Sequence, residues 1–248
     1  MDRRGLLASD LDGTLLGNER ALERFAQWFE ERRGRFLLAY ASGRFFDSVV
    51  DTIRGTALPE PDAVLGGVGS QMVSYPSGAP IWLPGENHNG AWNADKVREA
   101  LRGVPGLTLQ AGEYQSARKV SYYLEGADLG RLAEIEKRLR DAALAADTIY
   151  SSARDLDVLP RGVNKGSAVG HFARWARVDP SNVMVSGDTG NDLSMFERGF
   201  RGIVVANAEP VLRSLVGETV YQARAEHAAG VLEGIEYWLT RRARNEPY

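Results

Sequence analysis

Cysteine is missing from this 248-residue chain, which excludes a disulfide framework, a thiolate nucleophile and any cysteine-ligated metal site. Lysine is scarce. Of 30 basic residues, four are Lys (Lys96, Lys119, Lys137, Lys165) and 26 are Arg. In a chain that so prefers Arg, a retained Lys marks a place where a compact ammonium suits better than a planar fork. Histidine occurs three times, and His227 has no second His at ligand spacing, so it reads as a loop or structural residue. No block of Lys and Arg provides the electrostatic footprint that a nucleic acid needs, and the net charge is −3. No apolar stretch approaches the ~18 residues of a membrane span. Few apolar residues precede Asp10, too few for a secretory signal. The expectation is a cytoplasmic protein with no nucleic-acid or membrane partner.

The apolar runs that are present are short and alternate with helical patterns. Gly5 to Ser9, Phe36 to Tyr40 and Asp62 to Leu65 read as strands, separated by helical segments at Leu22 to Arg32 and Phe45 to Arg54. This alternation predicts a doubly wound parallel α/β sheet of Rossmann-like type. After Leu83 the rhythm changes. Pro84 to Gly90 is rich in turn residues, followed by a helix near 93–102, a strand at Lys119 to Glu125, a helix over 128–146 and two short strands ending at Leu159. Residues 84–158 therefore read as an inserted α+β domain, with the core formed by 1–83 and 159–248. The parallel pattern resumes with a helix from Lys165, strands at 182–186 and 202–206, and a final helix over 228–242.

Three of the core's apolar runs end in loops carrying acidic or hydroxyl residues: Asp10 and Asp12, Ser42, and Asp188 with Asp192. In open α/β sheets the functional crevice lies beyond the carboxyl ends of the strands, so parallel neighbours would bring these loops together. Clustered carboxylates repel one another unless a cation sits among them, and oxygen-only ligation suits Mg²⁺. Carboxylates, Mg²⁺ and a nearby Lys form the composition that holds a phosphate. Asp10 and Asp12 can face one crevice in different roles, one as nucleophile and the other as general acid and base. Each motif alone is common. Their conjunction in chain order is specific.

The motifs Asp10-Leu11-Asp12-Gly13-Thr14, Ser42-Gly43-Arg44, Lys165 and Gly187-Asp188-Thr189-Gly190-Asn191-Asp192 resemble the four motifs of the haloacid dehalogenase superfamily of phosphotransferases. The insertion between the second and third motifs resembles the C2B type of cap. The resemblance implies that Asp10 is the nucleophile and Asp12 the general acid and base. It also implies that Ser42, Gly43, Lys165 and Asn191 hold the phosphoryl group. By the same resemblance, Asp10, the Asp12 carbonyl, Asp188 and Asp192 would surround Mg²⁺. A closer resemblance, to sucrose-phosphate and mannosylfructose-phosphate phosphatases, rests on Lys119 to Leu124, Asp155 to Pro160, Ile203 to Ala208 and His227 to Ile235. It implies hydrolysis of a disaccharide phosphate, foremost sucrose 6-phosphate. Mannosylfructose-phosphate and glucosylglycerate-type phosphatases are the alternatives, and a catalytically silent sugar-phosphate sensor is the reading from another class. The expected sugar contacts are Gln71, Lys119, Ser121 and Asn164. Gln71 stands where sucrose-phosphate enzymes more often carry Glu. The cognate sugar-phosphate synthase is the expected protein partner.

Overall fold

The computed structural model describes residues 4–81 and 92–245, with side chains as far as 241. The turn-rich stretch at 84–90 lies outside the described residues. The chain divides into two compact units, Met1–Trp82 with Lys165–Tyr248, and Leu83–Asn164.

The first unit opens with β1 (Gly5–Ser9), buried along its whole length. Helix α1 (Glu19–Glu30) follows, started by the Asn18 side chain, which accepts the Ala21 N–H at 3.0 Å. Leu22, Phe25 and Phe29 fall on one face of it at i, i+3 and i+7, and all three are buried. Each such side chain contributes about 1.5–3 kcal/mol of burial. Strand β2 (Phe36–Ala41), α2 (Phe46–Gly55) and β3 (Ala63–Gly66) continue the alternation. Strand β4 (Gln71–Ser74) departs from it by pairing antiparallel with β3. The link between them is a tight turn at Gly67–Gly69, far too short for the crossover that a parallel pairing needs.

The second unit runs α3 (Ala94–Ala100), β5 (Thr108–Leu109), β6 (Val120–Tyr123), α4 (Leu129–Asp141), β7 (Ala146–Ser151) and β8 (Asp155–Pro160). Its strands form an antiparallel sheet in the order β5-β6-β8-β7. One face of that sheet carries Val120, Tyr122, Leu156 and Val158 against Val97 and Leu101 of α3 and Ile135 and Leu139 of α4. Two expectations need correction here. The predicted helix over 128–146 stops at Asp141, because Ala143 takes a left-handed φ of 54° and the Leu144 N–H turns back to the Leu139 carbonyl. That is a helix end of the kind glycine usually makes, without the glycine that would have announced it. The core was expected to resume at 159, yet Leu159 and Pro160 still pair with Asp147 and Ala146 of β7, and the second unit extends to Asn164.

The first unit then resumes with α5 (Lys165–Trp175), β9 (Val183–Gly187), α6 (Leu193–Phe196), β10 (Arg201–Val204), α7 (Pro210–Arg213), β11 (Val220–Gln222) and α8 (His227–Asn245). Among the described residues its sheet has the order β11-β10-β9-β1-β2-β3-β4, parallel except for β4. Alternation along β1 divides the core. Leu7 joins Phe25, Phe29, Ile235 and Trp238 on the face covered by α1 and α8. Leu6 and Ala8 join Val169, Phe172 and Met195 on the face covered by α5 and α6. The fold is a doubly wound α/β core.

Candidate active site

In the core sheet β9, β1 and β2 are adjacent and parallel, with Ser9 paired to Ser186 on one side and Tyr40 on the other. The residues just past their carboxyl ends are Asp188, Asp10 and Ser42. The connections out of β1 and β9 lead in opposite directions, to β2 and to β10, which opens the crevice that such sheets use for ligands. The loop Asp10 to Thr14 turns tightly, with Thr14, Leu15 and Leu16 all donating N–H to the Leu11 carbonyl. Gly13 sits at a φ of 80°, and a Cβ there would run into the Asp188 carboxylate. The glycine is therefore what allows the β1 and β9 loops to close on each other.

Lys165 is the hub of the charges. It is fully buried, and its Nζ lies 2.7 Å from Asp10 Oδ1 and 2.7 Å from Asp192 Oδ1. The helix that presents it is seated closely, because a Cβ on Gly166 would meet the Ser194 carbonyl, and the Gly166 N–H donates to Ser194 Oγ at 3.0 Å. Asp192 is engaged at both oxygens. Oδ1 takes the ammonium, while Oδ2 accepts the N–H groups of Asp188 (2.9 Å) and Thr189 (3.1 Å). Asp188 accepts the Thr14 hydroxyl at 2.8 Å. Burial pushes the Asp10 carboxyl well above the usual range; Lys165 pulls it down, but the charges of Asp192 and Asp188 add to the rise. Burial also lifts Asp188 to about 6, assisted by Asp192 and opposed by the Thr14 hydroxyl and Lys165. Burial would depress the Lys165 ammonium, yet Asp10 and Asp192 outweigh it and hold the group above its ordinary value.

Asp10, Asp188 and Asp192 each offer one carboxylate oxygen, all within 4.8 Å of one another. Three carboxylates against the Lys165 ammonium leave an excess of two negative charges in a buried place. That donor set, hard oxygens with a double negative excess, fits a divalent cation such as Mg²⁺. Asp12, expected beside the metal through its carbonyl, turns its side chain elsewhere. Arg44 Nε and Nη2 grip its two oxygens at 2.7 and 2.6 Å.

The linkage has a testable sign. In metal-free protein Asp188 titrates above its ordinary 3.8, at about 6. The native state then binds more protons than the unfolded state between those values. Its contribution to stability is full below pH 4 and is lost as pH rises to about 6, by up to roughly 3 kcal/mol. Thermal unfolding of wild type and Asp188→Asn at pH 4.5 and 7.5 should show the variant gaining on wild type at the higher pH. Added Mg²⁺, which favours the ionised carboxylate, should cancel the gain. A difference independent of pH would contradict the assignment.

The other expected residues fall as follows. Ser42 is buried, with its Oγ accepting the Arg44 N–H at 3.1 Å. A Cβ on Gly43 would meet nothing within 4 Å, so the backbone there can be approached by a ligand. Asn191 Oδ1 is buried without a hydrogen-bond partner among the described residues, an acceptor left for a donor from outside the chain. Gln71 does not project freely, since its carboxamide oxygen accepts the Phe46 N–H at 2.8 Å and caps α2. In the second unit, Lys119 Nζ is buried 3.0 Å from Asp157 Oδ1 and 2.6 Å from Ser121 Oγ, and Ser121 donates to Asp157 at 2.6 Å. Asn164 is half-buried directly ahead of Lys165. Of the four lysines, Lys119 and Lys165 are the buried ones, each paired with carboxylate, while Lys96 and Lys137 are exposed.

Sequence reasoning did not assign roles to Thr14, Arg44, Asp157 or Asn207, and it read His227 only as a loop or structural residue. Asn207 Nδ2 and His227 Nδ1 both reach the Gly13 carbonyl, at 2.7 and 2.9 Å. A carbonyl can only accept, so Nδ1 of His227 carries the proton. Asn207 and His227 lie within the stretches Ile203 to Ala208 and His227 to Ile235, but nothing in their spacing says that they meet on the Gly13 carbonyl.

An aspartate nucleophile candidate paired with a buried lysine, beside further carboxylates at the carboxyl edge of a doubly wound sheet, defines a phosphotransferase of the haloacid dehalogenase superfamily, here a phosphoric monoester hydrolase. The chain belongs to the sucrose-6F-phosphate phosphohydrolase family, whose model matches residues 3–239. It is 35% identical over 238 residues to the mannosylfructose-phosphate phosphatase of Agrobacterium fabrum, covering 94% of this chain and 96% of that protein. It is 28% identical over 253 residues to a probable sucrose-phosphatase of Arabidopsis thaliana, covering 95% of this chain but 60% of the plant protein. Among solved structures, the sucrose-phosphatase of Synechocystis sp. in complex with sucrose and phosphate matches with a TM-score of 0.87 and 33% identity, over 95% of this chain and 98% of that one. No helix among the described residues is long and apolar enough to cross a membrane.

Proposed function

We propose that this sugar-phosphate phosphatase hydrolyses sucrose 6-phosphate with the help of Mg²⁺. The likeness to a sucrose-phosphatase that holds sucrose and phosphate is the observation that carries the reading. Asp10, paired to Lys165, attacks phosphorus and forms an aspartyl-phosphate, while the sugar oxygen departs with a proton from Asp12. Asp12 then takes a proton from the water that cleaves the intermediate. Ser42 Oγ, the Gly43 backbone, Asn191 and the Lys165 ammonium hold the phosphoryl oxygens. Asp10, Asp188 and the Asp12 carbonyl would hold Mg²⁺, with Asp192 fixing Lys165 and the Asp188 loop around it. When bound, the ion offsets the carboxylate excess and the charge of the phosphoryl group. Lys119, Ser121, Asp157, Gln71 and Asn164 carry donors and acceptors of the kind that sugar hydroxyls take.

The second reading is mannosylfructose phosphate, favoured by the 35% identity to the Agrobacterium enzyme over 96% of its length. Phosphate release from sucrose 6-phosphate, mannosylfructose phosphate, glucosylglycerate phosphate, trehalose 6-phosphate and glucose 6-phosphate, with and without Mg²⁺, separates the two. The expected result is a kcat/KM at least about tenfold higher for sucrose 6-phosphate than for any other ester, and lost with chelator. A preference for mannosylfructose phosphate selects the second reading. Inactivity on all five would overturn both.

A further inference from the structure

The Arg44–Asp12 pair is more exposed than the rest of the site, with side-chain exposures of 37% and 54%. An ion pair this exposed adds at most about 1 kcal/mol to stability, so folding does not account for it. Its geometry is more informative. Nε and Nη2 engage both oxygens of Asp12 in a planar fork, at 2.7 and 2.6 Å, which fixes the plane of the carboxylate as well as its position. The fork itself stands on a rigid base. The Arg44 N–H donates to Ser42 Oγ at 3.1 Å, and the Arg44 carbonyl accepts the Gly67 N–H at 2.9 Å. Farther out, Nη1 donates to Thr52 Oγ1 of α2 at 3.2 Å. Arg44 therefore links the β2 loop, through its own backbone and through α2, to the one carboxylate of the Asp10 loop that lies outside the buried cluster.

We infer that Arg44 is a positioning residue that aims the Asp12 carboxyl group for proton transfer. The inference rests on the reading of Asp12 as general acid and base. In the first half-reaction, the bond from Asp10 to phosphorus forms and the bond from phosphorus to the sugar oxygen breaks. The leaving electron pair goes to that oxygen, which takes the Asp12 proton. In the second, water oxygen bonds to phosphorus, Asp12 takes the water proton, and the electron pair of the broken bond returns to Asp10. Both steps need Asp12 in place. A p-nitrophenyl ester needs it once, since nitrophenolate leaves as a stable anion without a proton.

Arg44→Met keeps the apolar stem and removes the fork, and Arg44→Lys keeps a charge without the two-point grip. Rapid mixing of Arg44→Met with p-nitrophenyl phosphate should release about one nitrophenolate per active site in a burst, followed by turnover at least about tenfold slower than wild type. The sugar phosphate should show a similar fall in kcat, no burst and a KM changed less than about threefold; Arg44→Lys should fall in between. In an Asp12→Ala background, adding Arg44→Met should change steady-state turnover of nitrophenyl phosphate by less than about twofold, because a residue acting through Asp12 has nothing left to act on. Losses that add in the double variant, or slowing of both steps without a burst, would overturn the role of Arg44. Asp12→Ala with full turnover of the sugar phosphate would instead overturn the reading of Asp12 itself.

Discussion

Asp10→Asn is expected to lower phosphate release by at least about 10⁴-fold while leaving the protein folded. The size follows from the role, since the substitution removes the proposed nucleophile while the neighbouring carboxylates of Asp188 and Asp192 are committed to the Thr14 hydroxyl, to Lys165 and to backbone N–H groups. The stability expectation follows from the environment. Asp10 is buried beside Asp188 and Asp192, and its carboxyl is held well above the usual range by that burial. Asparagine fills the same space, and its oxygen can still accept from Lys165, whose Nζ lies 2.7 Å away in the wild type. Metal-free Asp10→Asn should therefore unfold no earlier than wild type, and the rise in Tm on adding Mg²⁺ should shrink. Phosphate release and thermal unfolding of one preparation test both halves. A variant that keeps a tenth of the activity would remove Asp10 from the nucleophile's place.

Lys165→Met should do the opposite to stability. The ammonium is fully buried and contacts two carboxylates at 2.7 Å, so its loss leaves buried charge without its partner. Breaking a buried pair on one side costs about 3–5 kcal/mol. For a chain of this size that corresponds to a fall in Tm of about 10 °C. The deficit should depend on pH. Asp10 and Asp188 protonate more readily than ordinary carboxylates, so at pH 5 they can shed their charge and relieve the loss, whereas at pH 8 the full penalty remains. Activity should drop by about 10³-fold at any pH, through loss of charge on the phosphoryl oxygens. Lys165→Arg should not restore it, because a larger planar fork does not fit a niche with 0% exposure. Equal stability of wild type and Lys165→Met at pH 8 would contradict this account.

The legibility of the chain differs from element to element. β1, β2 and β9 are recognisable because strands buried on both faces are written as continuous apolar runs. The small-residue loops after them are recognisable because acidic and hydroxyl groups interrupt such runs abruptly. Short edge strands carry no such mark. β11 has three half-buried residues, and β4 reads as the tail of a glycine turn until its pairing with β3 is known. The end of α4 was missed because Ala143 takes a conformation that sequence pattern reserves for glycine.

The site divides along similar lines. Asp10, Ser42, Lys165, Asp188 and Asp192 follow from motif and chain order. Their convergence on one edge of the sheet follows from parallel pairing. What each side chain holds was decided elsewhere. Gln71 caps α2, Lys119 is committed to Asp157 across a strand pair, and Arg44 grips Asp12 over a separation of 32 residues. Asn207 and His227 meet on the Gly13 carbonyl from nearly 200 residues and more away.

By itself the sequence determined the groups available to this protein: carboxylates, a hydroxyl, a rare lysine, and the doubly wound core that delivers them to one edge. Local patterns carry that much because hydrophobic alternation and loop composition are properties of neighbouring residues. The tertiary structure alone decided how the charges are partnered, and hence which carboxylates are pushed to high pKa and which one is left for Arg44 to aim. Pairings between distant residues depend on which loops the sheet order brings together, and desolvation depends on everything packed around them; neither is written in any one stretch of chain.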